Sequence, residues 1–236
     1  MTEWQYQPTE GFDKSPIERL STFPRHPDLF IYALRYALHV VMRFWLRTYH
    51  RYRVEGREHL PDHQPFVMVA NHASHLDAIS LLSALPLRRI QKAYPAAAKD
   101  YFFTTLPKIA FSAVAMNAMP FDRRENPRES LDLCRELLQT PEHVLILFPE
   151  GTRSPTGAVG AFKPGIGFLV AGTPIPVVPC FLDGAYRAWP KGKWIPRPRK
   201  LTLHIGTPMT FAGTATDKEG AKSVAGRLEE AVRKMI

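Results

Sequence analysis

The chain has 236 residues, 45% apolar and 22% charged, with a net charge of +9 and a pI of about 9.7. That composition excludes a disordered polyelectrolyte and suits one α/β domain with a short appendage. Two isolated cysteines, Cys134 and Cys180, build no disulfide framework, so a reducing compartment is the default. The basic balance suits an anionic partner, whether nucleic acid, lipid headgroup or phosphorylated substrate, and composition alone does not choose among them.

Residues 1–28 are polar, carry Pro8 and Pro16, and lack an apolar leader core, so no cleavable secretory leader is expected. A short helix is possible around Pro16–Ser21. From Asp28 to Arg51 the text changes: no Gly or Pro occurs, and Arg35, His39, Arg43 and Arg47 recur every four residues. On a helix this spacing makes a narrow basic stripe beside a wide arc containing Phe30, Leu34, Val41 and Phe44. We expect an interfacial helix over about 28–51, with its arginines on lipid phosphates and its aromatics at headgroup depth. The competing reading is an amphipathic helix packed on its own domain. No run of 18 uncharged apolar residues occurs, so no ordinary spanning helix is expected.

Beyond residue 52, short apolar runs alternate with helical stretches. Strands are expected at 52–55, 65–70, 90–96, 118–121, 144–148, 175–182 and 201–205, and helices at 76–84, 101–114, 127–138, 165–171 and 217–235. The alternation predicts an α/β fold: a mixed, mostly parallel sheet flanked by helices, behind the N-terminal amphipathic anchor. The division expected is an N-terminal segment 1–51 and a catalytic domain 52–236. Ala188–Lys200, rich in Trp, Pro, Lys and Arg, reads as a basic surface loop.

Three clusters carry chemistry. Asn71-His72-Ala73-Ser74-His75-Leu76-Asp77 follows the strand at 65–70. A histidine at the C-terminal end of a strand, with a carboxylate five residues on in the first helical turn, is a two-residue general-base device. A capping cluster, or a metal site using His72, His75 and Asp77, are the other local readings. Phe148-Pro149-Glu150-Gly151-Thr152-Arg153-Ser154 follows the strand at 144–148. Gly151 permits close backbone approach, Arg153 offers a planar fork for phosphate, and Glu150 is better suited to organising than to acid chemistry. Lys163, just before the helix at 165–171, would add positive charge. Met119-Pro120-Phe121-Asp122-Arg123-Arg124 ends in two arginines, which either reach the same phosphate or pair with Glu125 or Glu129 at the surface.

Asn71-His72-x4-Asp77, Phe121-Asp122-Arg123, Phe148 to Ser154 and Ile175-Pro-Val-Val-Pro179 occur in the order and at the distances of the glycerolipid acyltransferase family, which residues 50–210 resemble. The resemblance implies an O-acyltransferase of phospholipid biosynthesis, working peripherally on the cytoplasmic face of a membrane. In it His72 deprotonates an acceptor hydroxyl with support from Asp77. An acyl thioester, on coenzyme A or acyl carrier protein, is the donor. The acceptor is a lysophospholipid, foremost 1-acyl-sn-glycerol-3-phosphate, with a different lysolipid or glycerol-3-phosphate as the alternative. Lys99, Arg123, Glu150, Gly151, Thr152, Arg153 and Lys163 surround the acceptor and its phosphate, and Pro179 walls the acyl side. A thioester is already activated, so no metal or redox cofactor is expected. No nucleic-acid partner is expected either, because an anionic-surface binder would leave the His72/Asp77 pair without a purpose.

Overall fold

A computed structural model describes Phe23, residues 28–99 and residues 105–236. The helix expected around Pro16–Ser21 and the first residues of the helix expected at 101–114 lie outside these. Helix α1 spans Leu29–Tyr49 and is capped by Asp28, whose side chain accepts from the Ile31 amide at 3.0 Å. Seven strands follow, near the positions expected: β1 Arg53–Glu55, β2 Phe66–Ala70, β3 Ala93–Ala98, β4 Met119–Phe121, β5 Val144–Leu147, β6 Val177–Asp183 and β7 Thr202–Ile205. Between them lie α2 (Asp77–Ala84), α3 (Leu106–Ala110, running into a π-helical turn at Phe111–Ala115), α4 (Pro127–Leu137), α5 (Gly165–Val170), the short α6 (Ala185–Ala188) and the closing α7 (Lys218–Arg233). The strand expected from Ile90 starts only at Ala93, because Leu87–Lys92 forms a 3-10 turn behind Pro86.

The sheet order is β1-β7-β6-β2-β5-β3-β4. All neighbouring pairs are parallel except β6 with β7, so β1 and β7 run against the other five. Strand β2 sits centrally, and the chain crosses first to one side of it and then to the other. The crevice outside the C-terminal ends of β2 and β5 is therefore the topological switch point, where open α/β sheets present ligands.

Period-two alternation in β2 builds a core on each face. Phe66, Met68 and Ala70 pack with Leu46 of α1 and with Leu81 and Leu82 of α2. Val67 and Val69 pack with Leu137 of α4, Ile166 and Leu169 of α5, and Val224 and Leu228 of α7. Helices α5 and α7 touch through backbone at Gly167, where an added Cβ would stand 2.1 Å from the Ala221 carbonyl oxygen. Gly167→Ala is accordingly expected to cost about 1–3 kcal/mol of stability through overpacking. A denaturant midpoint equal to that of the parent would contradict this close contact.

Helix α1 corrects one expectation. Its basic stripe faces the domain, not lipid. Arg35 donates from Nε to the Val114 carbonyl at 2.8 Å and from Nη2 to Ala113 at 2.9 Å. His39 Nε2 donates to the Ala115 carbonyl at 3.0 Å, and Arg43 donates to the Leu85 carbonyl. These acceptors are the unsatisfied carbonyls at helix C-terminal ends, which carry partial negative charge. Burial lowers Arg35 to about 10 and His39 to about 4, so His39 is neutral at pH 7. Of the four stripe positions only Arg47 is exposed. The opposite face, with Phe30, Leu34, Val40, Val41 and Phe44, is apolar and exposed. By length and composition this 21-residue helix suffices to cross a membrane, contrary to the expectation from uncharged runs alone. With one side gripped by its own domain, however, it presents a single free apolar face.

Candidate active site

The site stands on the loops after β2 and β5, which are parallel neighbours in the register Val69 to Leu147. Asn71 braces the first loop against β6: its Nδ2 donates to the Leu182 carbonyl at 3.2 Å, and its Oδ1 accepts from the Leu182 amide at 2.8 Å. The turn then delivers His72, whose Nδ1 lies 2.7 Å from Asp77 Oδ2. The same oxygen accepts from the amides of Ala73 and Ser74 at 2.7 and 2.8 Å. Asp77 is the first residue of α2 and is wholly buried, so the helix N-terminus and three donors hold its carboxylate in place. Because the carboxylate accepts, Nδ1 carries the proton, which leaves Nε2 as the basic nitrogen. The imidazole stacks on Phe148, with ring centroids 4.2 Å apart and planes 19° apart.

Glu150 is placed differently from the acceptor contact that the resemblance implies. Its Oε1 accepts from the His72 amide at 2.8 Å and its Oε2 from the Gly160 amide at 3.1 Å. In return the Ser154 amide donates to the His72 carbonyl at 2.7 Å. The two motifs are thus stitched together in both directions. Burial raises the Glu150 pKa, and the two amide hydrogen bonds oppose that rise. Glu150 is buried, and each of its oxygens accepts from an amide inside the protein, an arrangement that ties the two loops together.

The imidazole opens into a cavity of about 450 Å³. Its lining combines cations, Arg123, Arg153, Lys163 and Lys191, with apolar side chains, Ala78, Ile79, Phe111, Met116, Phe121 and Leu131. Arg123 donates to the Gly151 carbonyl. Gly151 has φ of +71°, a backbone conformation that strains a side chain, and a Cβ there would push aside the flexible end of Lys163, whose Nζ it would meet at 2.9 Å. Thr152 is exposed at the rim. Two of the expected site residues stand outside the cavity lining. Lys99 stands exposed at the end of β3, outside the cavity lining, while the preceding Ala96, Ala97 and Ala98 form the wall. Pro179 is buried in the middle of β6, its ring against Gly206 rather than the cavity, so the apolar wall comes from the other side of the sheet centre.

His75 does not join His72 around a shared centre. Its ring meets Arg153, whose Nη1 lies 2.7 Å from Nδ1 and 2.9 Å from Nε2. Burial first, and the guanidinium second, lower His75 to about 4, so it is neutral at pH 7 and accepts from Arg153. Among the described residues no group of three or more His, Cys, Asp and Glu side chains could hold a metal ion. Sequence reasoning missed His75 as the partner of Arg153, and Trp189 and Lys191 as cavity residues. The only local signal for the latter two was the Trp- and Lys-rich text of the 188–200 loop.

A family model described as "Acyltransferase" matches residues 51–183. The chloroplastic 1-acyl-sn-glycerol-3-phosphate acyltransferase LPAT1 of Arabidopsis thaliana is 34% identical over 162 residues, 65% of this chain and 43% of that one. The alpha 1-acyl-sn-glycerol-3-phosphate acyltransferase of Mus musculus is 26% identical over 171 residues, 71% of this chain and 58% of that one. The chain spans about half the length of the curated relatives it matches. Among solved structures, the 1-acyl-sn-glycerophosphate acyltransferase PlsC of Thermotoga maritima superposes with a TM-score of 0.66 at 26% identity, over 88% of this chain and 79% of that one.

Proposed function

This chain belongs to the acyltransferase family, and on that premise we propose that it moves a fatty acyl group from a thioester to the free hydroxyl of 1-acyl-sn-glycerol-3-phosphate, giving phosphatidic acid. One observation carries the reading: the His72–Asp77 pair opens into a cavity whose lining combines several cations with apolar side chains. His72 Nε2 takes the acceptor's hydroxyl proton, and the oxygen attacks the thioester carbonyl. The tetrahedral intermediate collapses, the carbon–sulfur bond breaks, and the imidazolium returns its proton to the leaving thiolate. Asp77 holds the imidazole's orientation and offsets its transient charge. Arg153, Arg123 and Lys163 bind the acceptor phosphate, and the apolar side chains of the lining take acyl chain. The donor is coenzyme A or acyl carrier protein thioester, and no further cofactor enters this scheme.

The reaction is proposed to run at the cytoplasmic face of a membrane, with the chain peripheral and monotopic. The free apolar face of α1 supports the membrane contact, and the two buried free cysteines suit a reducing compartment. A matrix of acyl donors against acceptors tests the substrates. In it Arg153→Gln should raise KM for the phosphate-bearing acceptor about 10- to 100-fold, the worth of a hydrogen bond to a charged group, with kcat less affected. If monoacylglycerol, which lacks the phosphate, is acylated by the parent chain as efficiently as lysophosphatidate, the acceptor assignment is wrong.

A further inference from the structure

The loop after α6 holds a feature that the reaction does not use. Trp194 is 94% exposed and its neighbour Ile195 is 78% exposed. A monomer gains nothing from holding an indole and a β-branched side chain together in water. The loop is nevertheless tied down. Trp189 Nε1 donates to the Lys193 carbonyl at 2.8 Å, and the Arg197 amide donates to Ala188 at 2.8 Å. The Lys193 amide closes a turn on Pro190, with Gly192 at φ of +85°. Tyr49, at the end of α1, donates from its hydroxyl to the Pro196 carbonyl at 2.9 Å. Lys191, Lys193, Arg197, Arg199 and Lys200 flank the tip, and no acidic residue stands between Ala188 and Lys200.

We propose that this loop is a second lipid-contact element, in which Trp194 and Ile195 enter the interfacial layer of an anionic bilayer while the flanking cations meet its phosphates. The charge is complementary to such a surface, and an indole between apolar and wet zones is the usual interfacial anchor. The base of the loop explains what this contact does. Trp189 and Lys191 line the cavity, and the Trp189 carbonyl accepts from Ser74 Oγ at 2.7 Å and from the His75 amide at 3.3 Å. A tip in the headgroups therefore brings the part of the cavity lined by Trp189 and Lys191 toward the membrane surface, where a lysophospholipid headgroup resides. This last step rests on the proposed acceptor; the lipid contact itself does not.

The test uses the full chain and the variant with Trp194→Ser and Ile195→Ser, floated with vesicles of phosphatidylcholine alone or mixed with phosphatidylglycerol. Partitioning of the variant onto mixed vesicles should fall about 10- to 100-fold, the loss of two apolar side chains each about half buried in the interfacial layer. Turnover of a short-chain lysophosphatidate dissolved as monomers should be unchanged, because neither side chain lines the cavity. Independently, brominated lipid should quench the parent more than Trp194→Phe. Equal vesicle binding by parent and variant, or a tip that binds another protein and not lipid, overturns the proposal. A parent that binds vesicles through the tip yet acylates no lysophosphatidate leaves the lipid contact standing and removes the reaction.

Discussion

Replacing His72 by alanine is expected to lower ester formation by about 10²–10⁴-fold, the usual worth of a positioned general base. The loss should appear in kcat, because the cationic and apolar lining residues that would bind the two substrates remain. The fold should survive. Removing the imidazole leaves Asp77 with its amide donors from Ala73 and Ser74, and the Glu150 and Ser154 contacts involve only the backbone of residue 72. Single-turnover acyl transfer measured beside a thermal melt separates chemistry from folding. A variant retaining a third or more of parental turnover would show that the proton leaves by another route.

The second large effect is at Asp77. Asp77→Asn keeps the shape but removes the charge from a site where one oxygen accepts three hydrogen bonds. If the amide oxygen takes that oxygen's place, the imidazolium formed during the reaction loses its counter-charge. If the amide nitrogen faces His72, Nδ1 must accept, the proton moves to Nε2, and the base has no lone pair toward the cavity. The amino group would also face the Ala73 and Ser74 amides, leaving buried donors unsatisfied. Either orientation predicts a fall of about 10²–10⁴-fold, with stability reduced by about 1–3 kcal/mol in the second. Because the two residues act as one device, the double variant with His72→Ala should be no slower than the slower single variant. Multiplicative losses would mean that Asp77 acts elsewhere, chiefly as the brace of the α2 N-terminus.

The further contact proposed at Trp194 and Ile195 complements α1 in a physically distinct way. Helix α1 offers a broad apolar face with Arg35 and Arg43 turned inward and only Arg47 of its stripe exposed, whereas the loop offers a small apolar tip flanked by five cations. Salt should therefore weaken the loop's share of lipid binding far more than the helix's share.

The sequence by itself determined what depends on neighbours along the chain. Apolar runs with turn residues between them marked all seven strands, and the four-residue recurrence marked α1. The five-residue spacing from His72 to Asp77 was enough for pairing, because a strand, a turn and the first residue of a helix span only a few ångströms. The tertiary structure alone decided what depends on residues far apart. Glu150 lies 78 positions from His72, and its carboxylate becomes the clamp of the site only because β2 and β5 are neighbours. Arg35 sits 78 positions before Ala113, so the periodicity could mark a basic stripe but not whether lipid or helix carbonyls would meet it. The positions of Pro179 and Lys99 outside the cavity lining were illegible for the same reason. A residue's period along its own strand shows that its faces alternate, and only the packing of both sheet faces shows which one meets the cavity.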